Sequence, residues 1–400
     1  MTNKAVVYWA SPIEIASLRN TAKNMVTNNL VKTRLILDKI LDNINPGDKV
    51  AVKVHVGEAL NTHYLRHDYV REVVEAIKSK GGVPALVETH GRGNEYELLD
   101  ICEDYSICVG HRRTTIDHDK IAHLHGYTES IVGAPLKFID GEKGVEGKIV
   151  NIDGIHFKDV SVASELFEFD KMVVISHFKG HPQAGFGGAL KQIGIGCVSK
   201  RNKFLAHMEK AYVVNPKKCD ITKCNKECIN ACPVNAISMN GEKAFIDASK
   251  CFGCHLCVKK CPIKRAIKAP RMNEVKDFVE RFIDNFAAVL SFGPENIRYI
   301  NFAFDITMIC DCTPNPGMPV VPDLGIFGSS DPVAIDKACY DAETNAPGLP
   351  ILNREDEWKE PIQAGVEKFG AMMNIVKPYI QFEAAIKNNI GSIDYELIKI

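Results

Sequence analysis

Cysteine placement is the feature of this 400-residue sequence that most constrains its fold. Eight of the 14 cysteines lie between Cys219 and Cys261, and the other six are scattered over the rest of the chain. Scattered cysteines in an exported protein favour disulfides, whereas a dense cluster in a chain without an export signal favours a metal centre. The apolar stretch at residues 1–10 is interrupted at Pro12, so it does not fit a secretory signal.

The clustered cysteines form two related motifs, each ending in Cys-Pro. The motifs read Cys219-x4-Cys224-x3-Cys228-x3-Cys232-Pro233 and Cys251-x2-Cys254-x2-Cys257-x3-Cys261-Pro262. The second motif matches the bacterial ferredoxin pattern, in which three closely spaced thiolates hold one [4Fe–4S] cluster and the fourth binds the other cluster. We therefore predict two [4Fe–4S] clusters. One would be held by Cys219, Cys224, Cys228 and Cys261, and the other by Cys232, Cys251, Cys254 and Cys257.

The first motif departs from the ferredoxin pattern because its first two gaps are longer. It resembles the long-gap version in the ferredoxin-like region of the ribosome-recycling ATPase, so a cluster is still expected there. That ATPase as a whole is excluded, because the sequence contains no Walker phosphate loop. A zinc site at Cys219, Cys224 and Cys228 is the alternative, but the crossed ligand pattern requires both motifs to act together and favours iron–sulfur clusters.

The charge balance bounds the partners of the protein. Lys and Arg number 49 against 50 Asp and Glu, which argues against a chain that coats nucleic acid. The segment 217–270 is basic, with 11 Lys and Arg against four Asp and Glu. Part of this charge offsets the clusters, and the remainder predicts attraction of an acidic redox partner protein. No apolar run reaches the roughly 18 residues that span a membrane, so we expect a cytoplasmic protein with no membrane or nucleic-acid partner.

Outside that segment, strand and helix patterns alternate, which is typical of a sheet covered by helices on both faces. Strand patterns cover residues 5–8, 50–56, 83–87, 172–176 and 297–306. Helix patterns cover residues 18–44, 68–80, 273–290 and 331–341, and the tail beyond Glu355 is expected to be mostly helical. We predict an α/β fold with a mostly parallel sheet and flanking helices. Its two parts, 1–216 and 271–400, are interrupted by a bacterial-ferredoxin-like α+β insert at 217–270.

Two segments rich in Gly, His and Lys follow predicted strands, at residues 53–58 and 176–191. Because ligand sites in α/β sheets lie beyond the carboxyl ends of strands, these segments are candidates for a cleft. Converging cations are stable mainly beside an anion, so we predict a ligand that bears a carboxylate or phosphate. Lys179 and Lys191 would hold it with the amides of residues 185–188, and His55 or His177 would donate a proton. The full set of candidates is Lys53, His55, His177, Lys179, His181 and Lys191. The alternative is a tight turn with solvent-facing side chains.

Six cysteines lie outside the two motifs. Cys310 and Cys312 flank Asp311, and together with Cys197 they form a candidate for an extra metal site, with His207 as a further candidate ligand. Buried, unreactive thiols are the alternative for these three cysteines. The same interpretation is preferred for Cys102, Cys108 and Cys339.

The segments that carry these candidates also resemble a known family. Residues 53–58, 176–181, 185–191, 194–197, 203–207, 311–312, 321–325, 330–336 and 395–397 resemble the iron–sulfur centre proteins with domain of unknown function 362. The resemblance covers almost the entire chain. The long-gap first motif and Gln192, where Asn is expected, depart from it. The resemblance implies the architecture and the clusters, and it implies no particular substrate.

The sequence thus predicts an iron–sulfur electron-transfer protein that passes single electrons between redox partners in an anaerobic metabolism. The alternative is an oxidoreductase, an iron–sulfur-dependent reductase whose clusters feed an anionic substrate in the α/β cleft. A purely structural role for the clusters is disfavoured, because redox-inert zinc would serve as well. A plain ferredoxin needs only the insert, so the remaining residues are expected to supply a substrate site or a docking surface.

Overall fold

A central sheet organises the fold. The computed structural model describes residues 4–12, 28–91, 112–350, 361–373 and 377–400. The strands are β1 Ala5–Ala10, β2 Lys49–Lys53, β3 Val83–Glu88, β4 Leu136–Phe138, β5 Gly147–Asn151, β6 Asp159–Ala163, β7 Lys171–His177, β8 Lys179–His181, β9 Gly185–Gly187, β10 Val213–Val214, β11 Ile237–Asn240, β12 Lys243–Ile246, β13 Ile267–Lys268, β14 Ile297–Ala303, β15 Gly325–Ser329 and β16 Tyr395–Lys399. The helices are α1 Asn29–Ile40, α2 His67–Ser79, α3 Thr115–Leu124, α4 Glu129–Val132, α5 Ala189–Gly194, α6 Lys200–His207, α7 Glu227–Asn230, α8 Leu256–Lys260, α9 Val275–Val289, α10 Pro332–Asn345, α11 Lys368–Met373 and α12 Ile380–Lys387.

Most strands of the central sheet run parallel. Their order is β16-β1-β15-β14-β7-β2-β3-β4, and β15 is the strand that pairs antiparallel with both of its neighbours. β14 pairs parallel with β7, and β7 pairs parallel with β2. β2 pairs parallel with β3, and β3 with β4. The predicted α/β class with a mostly parallel sheet is therefore confirmed.

Helices cover both faces of this sheet, which explains the continuous apolar sequence of its central strands. Side chains alternate between faces along a strand, so Val50 and Val52 join the core beneath α1 and α2, whereas Ala51 joins the core beneath α9 and α10. Asp331 caps α10 as expected, because its carboxylate accepts from two backbone N–H groups of the first turn, each at 2.9 Å. None of the described helices has the length and apolarity required for a membrane span.

The carboxyl ends of four parallel strands lie at one edge of the sheet. β14, β7, β2 and β3 are successive neighbours, and their registers bring Phe302 beside His177 and Lys53 beside Val87. The last residues of β7, β2 and β3 are His177, Lys53 and Glu88. Polar residues from three separate parts of the sequence therefore meet at this edge.

The cysteine-rich module, residues 217–270, leaves the sheet after β7 and returns the chain to β14, the neighbour of β7. Its two motifs form matching halves: β11 pairs antiparallel with β12, and β13 pairs with β10 just outside the module. A residue with positive φ precedes the short helix of each half, Lys226 (62°) before α7 and His255 (67°) before α8. The internal repeat of the sequence is thus a structural duplication, while the limits 217 and 270 stay a prediction.

The structure corrects several predicted bounds. β2 ends at Lys53 because the chain then turns across the sheet edge through Gly57, which has a φ of 83°. β14 ends at Ala303, just before Asp305 with its positive φ of 46°. The tail contains α11 and α12 but closes with β16, which pairs parallel with β1 at the other end of the chain. The first part of the helix predicted at 18–44 lies outside the described residues, as do Cys102 and Cys108.

Candidate metal centre and the adjoining cavity

The eight motif cysteines gather around two small internal spaces. The first space is lined by aliphatic side chains such as Ile229 and by the first thiol set, Cys219, Cys224, Cys228 and Cys261. The second is lined by Tyr212, Ile246 and the second thiol set, Cys232, Cys251, Cys254 and Cys257. The last cysteine of each motif therefore lies with the other motif, which is the arrangement of the crossed assignment. Ligation by these sets stays a prediction.

A zinc ion needs closely spaced sulfurs. Four thiolates around zinc, with Zn–S bonds of about 2.3 Å, lie about 3.8 Å apart. Among the described residues, no three of the eight motif sulfurs lie within 4.8 Å of one another. Occupation of the two sets by [4Fe–4S] clusters stays a prediction. Backbone N–H groups of Ala236 and Ala244 donate to Cys232 Sγ at 3.2 Å and to Cys219 Sγ at 3.4 Å, and such bonds tune cluster potentials.

A cavity of about 700 Å³ opens at the carboxyl edge of the central sheet. Five of the six cationic candidates line it: His55, His177, Lys179, His181 and Lys191. The sixth, Lys53, is fully buried, and its Nζ lies 2.9 Å from Glu88 Oε1. Residues from distant segments of the chain therefore share one crevice, although Lys53 supports this crevice without lining it.

Asp311 organises one part of the cavity wall. Its buried carboxylate accepts from His177 Nδ1 and from Lys179 Nζ, each at 2.9 Å. Burial alone would raise the pKa of Asp311, but the two cations outweigh it and hold the pKa well below its usual range. His177 Nε2 lies 2.7 Å from the Phe304 carbonyl oxygen. Both ring nitrogens of His177 therefore lie against protein oxygens.

Glu88 organises a second part of the wall. Its buried carboxylate accepts from Lys53 Nζ at 2.9 Å and from His55 Nδ1 at 3.0 Å. Burial would raise the pKa of Glu88, but Lys53 and His55 hold it well below its ordinary value. Burial lowers the pKa of His55 to about 4, so its ring is neutral near pH 7. His55 then donates through Nδ1 and presents Nε2 as an acceptor, 3.4 Å from Arg112 Nη1.

Two further buried acids pair with cations around the cavity. Arg112 Nε donates to Glu58 Oε2 at 3.0 Å, and Lys203 Nζ lies 3.6 Å from Asp140 Oδ2. Burial raises the pKa of Asp140 to about 6 and lowers that of Lys203. Most of the positive charge that the sequence places here is therefore neutralised within the protein, by acids that the sequence analysis did not pair with it.

Lys191 is the exception among these cations. It lines the cavity, and no residue in the described ranges forms a hydrogen bond or ion pair with its ammonium group. Burial, reinforced by repulsion from Lys179, lowers the pKa of Lys191 to about 7. An anion entering the cavity would stabilise the charged form of this side chain.

The first two backbone amides of α5, which follow the glycine-rich turn, already have a hydrogen-bond acceptor within the protein. Asp336 of α10 is fully buried, and its carboxylate accepts from Ala189 N at 2.7 Å and from Leu190 N at 2.9 Å. These amides at the start of α5 are therefore closed to an external anion. Of the groups predicted to bind an anion, Lys179 is paired with Asp311, whereas Lys191 lines the cavity together with Gly187 and Gly188. A role for the amides of residues 185–188 stays a prediction.

Cys310 and Cys312 are joined by a disulfide, and both line the cavity. A ring nitrogen of His181 lies within 4.8 Å of both sulfurs. His181 Nδ1 accepts from the backbone N–H groups of residues 183 and 184, at 3.1 and 2.9 Å. Since burial and nearby cations lower the pKa of His181 well below its usual value, the ring is neutral and its proton lies on Nε2.

The structure does not bring together the three outlying thiols of the predicted extra metal site. Cys197 is fully buried in the core beneath α9 and α10, outside the group formed by His181, Cys310 and Cys312. Burial raises the pKa of Cys197 to about 11, as expected for an unreactive thiol. His207, the further candidate ligand, lines the cavity.

Helix α6 separates the cavity from the second thiol set. Lys203 and His207 of this helix line the cavity, whereas Phe204 packs against the module. The contact is so close that a Cβ on Gly253, between Cys251 and Cys254, would lie 2.1 Å from a ring carbon of Phe204. An α-helix with its side chains is about 10–12 Å across, so the wall between the two sites is one helix thick.

Several residues of the site were not identified from the sequence. Glu88 ends β3 as Lys53 ends β2, so the strand-end rule applied to residues 83–87 would have found it. Asp311 lies between two cysteines, and its pairing with His177 and Lys179 has no local sequence signal. Arg112 and Asp140 carry no local signal, because their partners lie far away in the sequence.

One family model matches both the segments that line the cavity and the module. A family model described as Domain of unknown function (DUF362) matches residues 50–341. The chain belongs to this family. The match extends from β2 through the module into α10, and it confirms the resemblance drawn from the sequence.

Other relatives match a much shorter part of the chain. ABC transporter E family member 1 from Arabidopsis thaliana is 33% identical over 79 residues, which are 18% of this chain and 13% of that protein. A ferredoxin from Rickettsia felis is 38% identical over 79 residues, 18% of this chain and 67% of the ferredoxin. The DUF362 chain thus spans a small fraction of the first relative. The lactate racemase apoprotein from Thermoanaerobacterium thermosaccharolyticum aligns over 75% of this chain and 51% of its own, at 10% identity and a TM-score of 0.33. The partial matches fall on the cysteine-rich segment, which is a ferredoxin-like iron–sulfur region.

Proposed function

We propose that this DUF362 protein is an iron–sulfur oxidoreductase whose module supplies single electrons to an anionic small molecule held in the cavity. Each thiol set would hold one [4Fe–4S] cluster, which supplies one-electron chemistry when bound. The observation that best supports the proposal is that helix α6 contacts both the cavity and the module. Its residues Lys203 and His207 line the cavity, while Phe204 packs on the loop of the second thiol set.

The charge balance of the cavity supports an anionic ligand. Asp311, Glu88 and Glu58 each have a cationic partner within hydrogen-bonding distance, whereas Lys191 has no such partner among the described residues. A carboxylate or phosphate on the ligand would pair with Lys191 and raise its pKa towards the ordinary value. The cavity volume of about 700 Å³ is in the range of small-molecule sites.

Reduction of an organic anion consumes protons as well as electrons, and Lys191 is the better donor in this geometry. His177 has both of its ring nitrogens against protein oxygens, those of Asp311 and Phe304, and His55 presents an unprotonated Nε2. With a pKa of about 7 in the free protein, Lys191 takes up a proton at neutral pH when an anion binds, and that proton then lies beside the ligand. We therefore assign proton donation to Lys191 in place of the two histidines.

A second candidate is an electron carrier between partner proteins, as the sequence predicts. The observation that favours it is the basic surface of the module. Its exposed cations include Lys217, Lys218, Lys223, Lys260, Lys264 and Arg265. Such a surface attracts an acidic redox partner and speeds its association, and the partner could also be the donor that reduces the clusters of the oxidoreductase.

Reoxidation of the reduced protein separates the two candidates. The anaerobically reduced chain is mixed with a panel of oxidants that carry a carboxylate or phosphate, and cluster oxidation is followed by visible absorbance. The oxidoreductase should be reoxidised by at least one of them, at least about tenfold more slowly in Lys191→Met than in the natural protein. Lys260→Met, on the module surface, is the matched control and should react at the natural rate. Equal rates in Lys191→Met and the natural protein would refute the cavity as the electron exit and favour the carrier.

A further inference from the structure

The disulfide between Cys310 and Cys312 has no part in the proposed function so far. It encloses a single residue, and a bridge that closes so short a loop restricts the unfolded chain very little. Other contacts already fix this loop. Glu58 N donates to Asp311 O at 2.8 Å, and Thr313 N donates to Cys310 O at 3.2 Å. A structural staple is therefore not needed here.

The chemistry of the rest of the chain also argues against a structural bridge. The eight motif thiols must remain reduced to bind iron, and compartments that keep thiols reduced rarely hold structural disulfides. Disulfides that persist there are typically catalytic or redox-sensing. Both sulfurs of Cys310 and Cys312 belong to residues that line the cavity, on the edge of the sheet that α6 connects with the second thiol set.

We propose that Cys310 and Cys312 are a redox-active pair that converts the single electrons of the module into two-electron chemistry in the cavity. This inference rests on the proposed function and names the group that receives the electrons. In the reductive half, the S–S bond breaks and each sulfur gains one electron and one proton, while each of the two reduced clusters is oxidised by one electron. An external low-potential one-electron donor has reduced the clusters beforehand. In the oxidative half, the two thiols re-form the S–S bond and transfer two electrons and two protons to an anionic acceptor.

The groups around the disulfide suit this exchange of electrons and protons. His181 has a ring nitrogen within 4.8 Å of both sulfurs, and its Nε2–H has no acceptor among the described residues. Lys179, paired with the carboxylate of Asp311, places an ammonium group near the residues that would carry thiolates. Nearby cations stabilise a thiolate over a thiol and so favour disulfide chemistry near neutral pH.

A metal ion held by the same side chains is the competing interpretation, and the hydrogen bonds of His181 oppose it. A neutral histidine that binds a metal through Nε2 carries its proton on Nδ1 and donates it to an acceptor. Here Nδ1 faces two backbone donors, at residues 183 and 184. Binding through Nδ1 would displace both of these bonds. The arrangement therefore favours a disulfide and dithiol pair over a metal site.

Thiol trapping in the cluster-loaded protein tests this inference without a substrate. The protein is purified anaerobically, photoreduced with a deazaflavin, and treated with N-ethylmaleimide, and the peptide that contains residues 310–312 is analysed by mass spectrometry. We expect no label on Cys310 and Cys312 before reduction and a label on both afterwards. Reductive titration should consume about four electrons per chain, and about two in the Cys310→Ser/Cys312→Ser double variant.

Two variants connect the labelling with the module. Cys254→Ser removes one ligand of the second thiol set and should slow the labelling of Cys310 and Cys312 at least about tenfold. Cys339→Ser removes a buried core thiol and should label like the natural protein. Labels before reduction, a peptide that stays unlabelled after the clusters are fully reduced, or equal labelling in Cys254→Ser would each overturn the inference. Failure of the proposed function appears separately, as reoxidation that does not depend on Lys191.

Discussion

Lys191 gives the proposed anion site a pH dependence whose size follows from the structure. Its pKa in the free protein is about 7, so about half of the Lys191 side chains are charged at pH 7 and about one in a hundred at pH 9. A bound anion favours the charged form and raises the pKa of Lys191. Binding should therefore be strongest and nearly constant below about pH 6, and should weaken about 50-fold between pH 7 and pH 9.

Sulfate is a suitable probe because it remains a dianion over this range. Its affinity for the cluster-loaded protein would be measured by isothermal titration calorimetry at fixed ionic strength. Lys191→Arg keeps its charge at all these pH values and should bind sulfate with little dependence on pH, whereas Lys191→Met should bind weakly throughout. Equal affinity of the natural protein at pH 7 and pH 9, or natural affinity in Lys191→Met, would refute the assignment of the open charge to Lys191.

Two further predictions concern the walls of the site and use chemical unfolding of the cluster-loaded protein. Gly253→Ala should lower the free energy of unfolding by about 2–4 kcal/mol and lower the iron content, because the backbone has a φ of 79° and the new Cβ would meet Phe204. Gly241→Ala, with a φ of 58° in open space, should cost only about 1 kcal/mol and leave the iron content unchanged. Lys53→Met should cost about 3–5 kcal/mol, because it removes the charged partner of the buried Glu88 carboxylate and leaves neutral hydrogen-bond donors there. Lys78→Met removes an exposed ion pair and should change stability by less than about 0.5 kcal/mol. Similar losses of stability in Gly253→Ala and Gly241→Ala would contradict the packing argument. Similar losses in Lys53→Met and Lys78→Met would contradict the electrostatic argument.

The module was the most predictable part of this protein, because the cysteines that share one space are mostly close together in the sequence. Two-residue gaps between Cys251, Cys254 and Cys257 restrict these three thiols to one turn of chain, and the structure places all three around one space. The parallel sheet was predictable for a similar reason, since each strand carries its own apolar run between helices. β16 was not predicted, because its pairing with β1 joins opposite ends of the sequence.

The charge balance of the cavity could not be predicted from the sequence. The strand-end rule found the cations, but the acids that neutralise them come from distant positions. Asp311 lies 134 residues after His177, and Glu88 lies 35 residues after Lys53. Nothing in the local pattern shows which acid reaches which cation in the fold. The six cationic candidates of the sequence therefore form, in the structure, a set of internal ion pairs, and Lys191 is the charge without a partner among the described residues.

Iron and acid-labile sulfide analysis of anaerobically purified protein tests the central claim most directly, when combined with one variant of each thiol set. The account predicts about eight iron and eight sulfide per chain in the natural protein. Cys224→Ser and Cys254→Ser should each lose one cluster, retain about four iron and four sulfide, and show different electron paramagnetic resonance spectra after reduction. Zinc without sulfide in the natural protein, or loss of both clusters in both variants, would contradict the assignment of two independent four-cysteine sites.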